Sequence, residues 1–73
     1  MNKKHRYAFS VIWNPGWMSP KVYRNVNYVD SDLPIDEFCK KWNEDNKVWH
    51  ERIHKIKETD SFLHDDDYEW FVS

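Results

Sequence analysis

Glycine is nearly missing from this sequence: Gly16 is the only one in 73 residues. Phosphate-cradling loops need several glycines, so none is present. A serine nucleophile elbow needs flanking glycines, and no serine here has them in place. Cysteine is equally scarce. Cys39 stands alone, which excludes a disulfide within the chain. There is no run of 18 apolar residues, so no helical membrane span is predicted. The basic start MNKKHR is not followed by the apolar stretch of a signal peptide. A reducing, cytoplasmic compartment is the expectation. Acid is missing from residues 1–29, which carry Lys3, Lys4, Arg6, Lys21 and Arg24. Lys and Arg are missing from residues 58–73, which carry Glu58, Asp60, Asp65, Asp66, Asp67 and Glu69. The two ends are expected to lie side by side and neutralise each other; the sharper alternative makes one end a charged binding surface.

What the sequence does hold is aromatic: five Trp, four Tyr and four Phe. A chain this short buries only about 60% of its unfolded surface. Side chains that each bury roughly 150–250 Å² can nevertheless build one core without staples. A single domain over residues 1–73 is predicted.

Three segments alternate with period two and are rich in aromatic and β-branched residues, which predicts strands at 6–13, 21–29 and 68–72. The first places Tyr7, Phe9, Val11 and Trp13 on one face and Ala8, Ser10 and Ile12 on the other. The third places Trp70 and Phe71 on opposite faces. Between the first two lies NPGWMSP, where Pro15-Gly16 signals a turn and Pro20 delays the second strand.

Residues 35–58 read as one long amphipathic helix. Ser31 or Asp32 can cap it, Pro34 suits its first turn, and Asp36 and Glu37 complement its positive end. Ile35, Phe38, Trp42, Trp49, Ile53 and Ile56 form its apolar stripe, with Cys39 at the margin as a small buried thiol. Glu37, Glu44, Glu51 and Glu58 form a solvated ridge opposite. Asn46 interrupts the stripe, so a bend at Asn43–Asn46 stays open. The predicted fold is α+β: a three-stranded sheet in the order 2-1-3, reached by a right-handed crossover, with the helix on one face (ββαβ).

The string H-E-R-I-H at 50–54 has the letters of a zinc-protease helix. Such a helix needs two His four apart, a Glu for the bound water and a third ligand. Here Glu51 belongs to the predicted solvent ridge, and Arg52 and Lys55 would put cations beside the metal. So short a chain also leaves little for a substrate cleft. The string is read as accidental, no cofactor is expected, and the remote metal set is His50, His54 and His64. Nothing else points to catalysis, so a non-enzymatic protein is expected.

Two binding readings remain. In the first, a protein partner is held by aromatic surface left over from a small core. Its contact candidates are Trp17, Met18 and Trp70, with Asp65, Asp66 and Asp67 docking on a basic partner. In the second, Arg6, Tyr7, Phe9, Lys21, Tyr23 and Arg24 stack and neutralise single-stranded nucleic acid. A net charge of −2 disfavours the second. An unpaired sheet edge would leave room for a homodimer.

The order strand–strand–helix–strand, with the helix opening on D-L-P-I-D-E-F after a tyrosine-rich second strand, resembles small bacteriophage-encoded proteins. Among these are the tiny phage inhibitor of bacterial RNA polymerase and phage antitoxins that neutralise host RNase toxins. The high Trp, Tyr and Asp content and the lone Cys are similar too. The resemblance covers most of the chain as a pattern and transfers no functional residue. It implies a class: an inhibitor or modulator that occludes a bacterial host enzyme or defence protein.

Overall fold

The computed structural model describes residues 4–59 and 65–73, with only the backbone of 65–67. The elements are β1 (His5–Trp13), β2 (Lys21–Val22), β3 (Asn27–Ser31), α1 (Ile35–Asn46), a 3-10 turn (Lys47–Trp49), β4 (Glu51–Glu58) and α2 (Asp65–Val72). The fold is α+β, with an antiparallel sheet around β1. No helix among the described residues is long and apolar enough to cross a membrane.

β1 is central because it can be buried on both faces. Tyr7, Ala8, Phe9, Ser10 and Val11 are all buried. β4 covers one edge, from Tyr7 opposite Glu58 to Trp13 opposite Glu51. β2 and β3 share the other edge, pairing with opposite ends of β1. Between the Ile12–Val22 and Phe9–Asn27 pairs, β1 advances three residues while its neighbour advances five. The expected strand over 21–29 is therefore interrupted by a two-residue bulge, across which the Tyr23 N–H still donates to the Val11 carbonyl at 2.9 Å.

α1 begins as its sequence predicts, with Asp36 and Glu37 in the first turn. Ser31 is not its cap; the hydroxyl accepts the Leu33 N–H at 3.1 Å instead. The helix stops at Asn46, half the expected length. The Asn46 side-chain amide folds back one turn to donate to the Trp42 carbonyl at 2.9 Å. Asn43 turns its amide oxygen to the Ile53 N–H at 2.8 Å and ties the end of α1 to β4.

Residues 51–58 are a strand, which overturns the second half of the expected helix at 35–58. Register slips between the Ser10–Lys55 and Val11–Ile53 pairs, leaving His54 as the extra residue of a β-bulge. The slip puts Ile53 opposite Val11 and Ile56 opposite Phe9. Both therefore pack under α1 with Tyr7, Phe9, Val11 and Phe38. A three-residue spacing that reads as helical is here a strand spacing plus one bulged residue. The aromatic rings of this core meet at 5.2 Å (Tyr7–Phe38), 5.7 Å (Phe9–Phe38) and 5.5 Å (Phe9–Trp42).

The strand expected at 68–72 is also overturned: it is helical, within α2. The neighbour of β1 is β4, antiparallel, so the crossover is absent and the sheet's second face is not left open. α2 packs there. Phe71 is fully buried against Ala8 with Val72, Val26 and Tyr68. The buried Ser10 hydroxyl donates to the Phe71 carbonyl at 2.7 Å. The Lys55 ammonium closes the helix end, donating to the Trp70 carbonyl and the Ser73 hydroxyl at 2.9 Å each and lying 5.1 Å above the Trp70 ring. A cation at a helix C-terminus complements its negative end.

Candidate protein-interaction site

One end of the molecule gathers the side chains that folding leaves uncovered. Pro15-Gly16 turns the chain after β1, with Gly16 at φ +95°, the left-handed conformation that glycine adopts without a Cβ penalty. The turn delivers Trp17 and Met18, which are 68% and 59% exposed. Across from them, the 3-10 turn after α1 presents Val48 and Trp49, 68% and 65% exposed. Two contacts hold the turns together. The Asn14 N–H donates to the His50 carbonyl at 2.8 Å. The Trp17 and His50 rings meet edge to face at 4.9 Å.

His50 is the joint. Its backbone is left-handed (φ 61°, ψ 29°), and its N–H closes the 3-10 turn on the Lys47 carbonyl at 3.0 Å. That conformation is uncommon outside glycine but is tolerated by His and Asn. It reverses the chain from α1 into β4 and leaves Val48 and Trp49 at the apex.

Beside this apex lies an open cleft lined by Asn14, Asn43, Lys47, His50, Glu51 and Arg52. Its one carboxylate, Glu51, accepts the Tyr23 hydroxyl at 2.8 Å. Glu51 is thus no member of a solvent ridge: the ridge ends with α1, and Glu58 pairs with His5 Nδ1 at 2.9 Å. Lys47 pairs with Glu44 at 2.8 Å. Their hydrogen bond, with their opposite charges, holds the Glu44 carboxyl below its ordinary range and raises Lys47.

Two phenols and a thiol are kept protonated by the fold. The hydrogen bond to Glu51 raises the Tyr23 pKa, with burial and the carboxylate charge adding to it. Burial raises Tyr7, helped by the charges of Glu58 and Cys39. Burial, then Asp36, raises Cys39, which keeps it a thiol rather than a nucleophile. A pKa raised on folding contributes stability that is complete below the unfolded value and is lost as pH rises through the folded one. The denaturation midpoint is therefore expected to fall as pH climbs above about 9, first through Cys39 and then through the two tyrosines. Tyr23→Phe should flatten that fall in urea titrations run from pH 9 to pH 11. An unaltered slope would mean that the Tyr23–Glu51 bond does not persist in solution.

The residues singled out from sequence separate in the structure. Trp17 and Met18 are exposed, as supposed. Trp70 is 45% exposed, but Lys55 and Lys57 lie against its ring. Asp65, Asp66 and Asp67 occupy the first turn of α2, and their side chains lie outside the described residues. Trp49, expected in the apolar stripe, faces solvent; with Val48 it was missed as a contact candidate. The signal for it was the asparagine pair at 43 and 46, which ends the helix before Trp49 can turn inward.

The aromatic platform for nucleic acid is dismantled. Tyr7 and Phe9 are buried under α1, and Tyr23 packs on the same core with its hydroxyl on Glu51. Arg6 pairs with Asp30 at 3.1 Å, and Lys21 and Arg24 are exposed. The zinc-protease string is not on a helix. His50 sits in the turn, and His54 in the bulge places Nε2 2.9 Å from the Ser73 carbonyl. Four residues of extended chain separate their Cα atoms by roughly 13 Å, against the single-turn spacing that the motif needs. No group of three or more His, Cys, Asp or Glu gathers to hold a metal among the described residues, and His64 lies outside them.

The sheet edges are poor templates for strand addition. β4 carries Arg52, Lys55 and Lys57 and a bulge, and its Ile53 N–H is occupied by Asn43. Charges and bulges are what edge strands use to resist pairing. The opposite edge is broken between β2 and β3. Among the described residues, the aromatic end gathers four of the six exposed large hydrophobic side chains.

Compared with protein-family models, curated proteins and solved structures, the chain matches none.

Proposed function

We propose that this chain is a non-enzymatic protein-binding module that engages its partner with Trp17, Met18, Val48 and Trp49. The observation that carries this reading is the exposure of two tryptophans on two turns locked together through His50. Leaving two indoles in water is unfavourable, and Trp is the residue most enriched among interface hot spots. Hydrogen bonds and ring contacts hold the turns in place, so little ordering entropy is lost on binding. The resemblance to small phage inhibitors supplies a partner class, a bacterial host enzyme or defence protein, and a mechanism, steric occlusion.

The test is capture from nuclease-treated bacterial lysate with the tagged chain as bait. One protein recovered in stoichiometric amount, and absent when a scrambled bait is used, is the expected result. Nucleic acid retained after nuclease treatment, with no stoichiometric protein, would overturn the reading.

A further inference from the structure

The cleft beside the aromatic end narrows the chemistry of the partner, on the premise that this end is the binding surface. Its lining is rich in donors and cations. The Arg52 guanidinium is exposed and makes no hydrogen bond or ion pair among the described residues. Asn43 uses its amide oxygen on Ile53, which leaves its NH₂ to donate. The Asn14 side chain is exposed and likewise unengaged. Lys47 holds Glu44 through one contact, and an ammonium has three donors. Glu51, the one acid of the lining, already accepts from Tyr23. The lining thus carries two cations, Lys47 and Arg52, against one carboxylate that is already engaged with Tyr23.

We infer that this cleft receives a carboxylate from an acidic segment of a partner protein, whose neighbouring apolar side chain packs on Trp17 and Trp49. Arg52 has the planar fork that matches a carboxylate, and its attraction is strengthened once the indoles exclude water. A phosphate would fit the same donors. The protein source is favoured because Met18 and Val48, beside the two tryptophans, offer aliphatic contact rather than stacking. The chain's net charge of −2 also repels a nucleic acid, charged at every nucleotide, more than a segment carrying one or two carboxylates.

The experiment is selection of a random dodecapeptide display library on the full immobilised chain, with fluorescein-labelled single-stranded 20-mer DNA titrated in parallel. Enriched peptides are expected to carry Asp or Glu next to Leu, Ile, Phe or Trp. Their affinity should fall at least tenfold in Arg52→Glu. It should be unchanged in Lys40→Glu, which makes the same change of charge on the exposed side of α1. Thermal melting of both variants confirms that each is folded. Enriched peptides that are neutral or basic, or that bind Arg52→Glu as tightly as the parent chain, would overturn the carboxylate assignment and leave the binding-module reading standing. Peptides lost equally in both variants would show a long-range field effect and overturn the cleft as the site. DNA binding that weakens in Arg52→Glu, with no peptide enriched, would overturn both.

Discussion

Phe71→Ala is expected to destabilise the protein by about 3–5 kcal/mol, the usual range for removing a fully buried phenylalanine. A domain of this size is stable by only about 4–11 kcal/mol. The substitution therefore takes between about a quarter and all of what holds the fold together. Phe71 is the side chain by which α2 seals the second face of the sheet, over Ala8 and beside the bond from Ser10 to its own carbonyl. Without the ring, α2 loses its anchor, and the Ser10 hydroxyl and Phe71 carbonyl meet water or go unpaired. Urea denaturation followed by circular dichroism reads the loss directly. Trp70→Ala is the control: its ring is half exposed, so its loss should be the smaller of the two. Equal small effects from both would mean that residues 65–72 do not dock as a helix. Amide exchange confined to that segment in Phe71→Ala would instead locate the damage to a local undocking.

The second large effect is on binding. Trp17→Ala combined with Trp49→Ala is expected to weaken the captured partner's affinity at least a hundredfold. Hot-spot tryptophans lose about 2 kcal/mol or more each on truncation, and two that share one surface are not strictly additive. Stability should hardly change, because exposed positions away from cores, caps and charges shift it by about 0.5 kcal/mol or less. The edge contact of Trp17 with His50 puts that variant at the upper end of the range. Retained affinity in the double variant would move the interface elsewhere; lost affinity together with lost melting would show only that the tryptophans support the fold.

Which parts were legible in the sequence follows from where local and tertiary preferences agree. β1 could be read residue by residue, because its alternation matches its burial on both faces. The start of α1 was legible for the same reason: Pro34, Asp36 and Glu37 suit a first turn whatever packs on it. Residues 51–58 were not. Ile53 and Ile56 fit a helical stripe that begins at Ile35, and the bulge that puts them on one face of a strand leaves no mark in a one-dimensional pattern. What did mark the change was Asn46 in the middle of an apolar stripe. Such a residue bonds back to its own helix more readily than it sits in a core, and Asn43 clamps β4. Residues 68–72 failed in the opposite direction. Their alternation imitates a strand, while the signal for a helix lay just before them. Three aspartates in a row suit the positive end of a helix as well as they suit an acidic loop. The exposure of Trp17 and Met18 was legible because a turn with one glycine leaves little to cover them; that of Val48 and Trp49 was hidden by the helix drawn through them.

Hydroxyl-radical footprinting of the free chain and of its complex with the captured partner, read by mass spectrometry, locates the interface. In the free chain, Trp17, Met18 and Trp49 should be oxidised fast and the half-buried Trp13 and Trp42 slowly. In the complex, Trp17, Met18 and Trp49 should become protected together, with Trp70 unchanged. A complex in which those three side chains stay as reactive as in the free protein, while another surface is protected, would place the interface elsewhere.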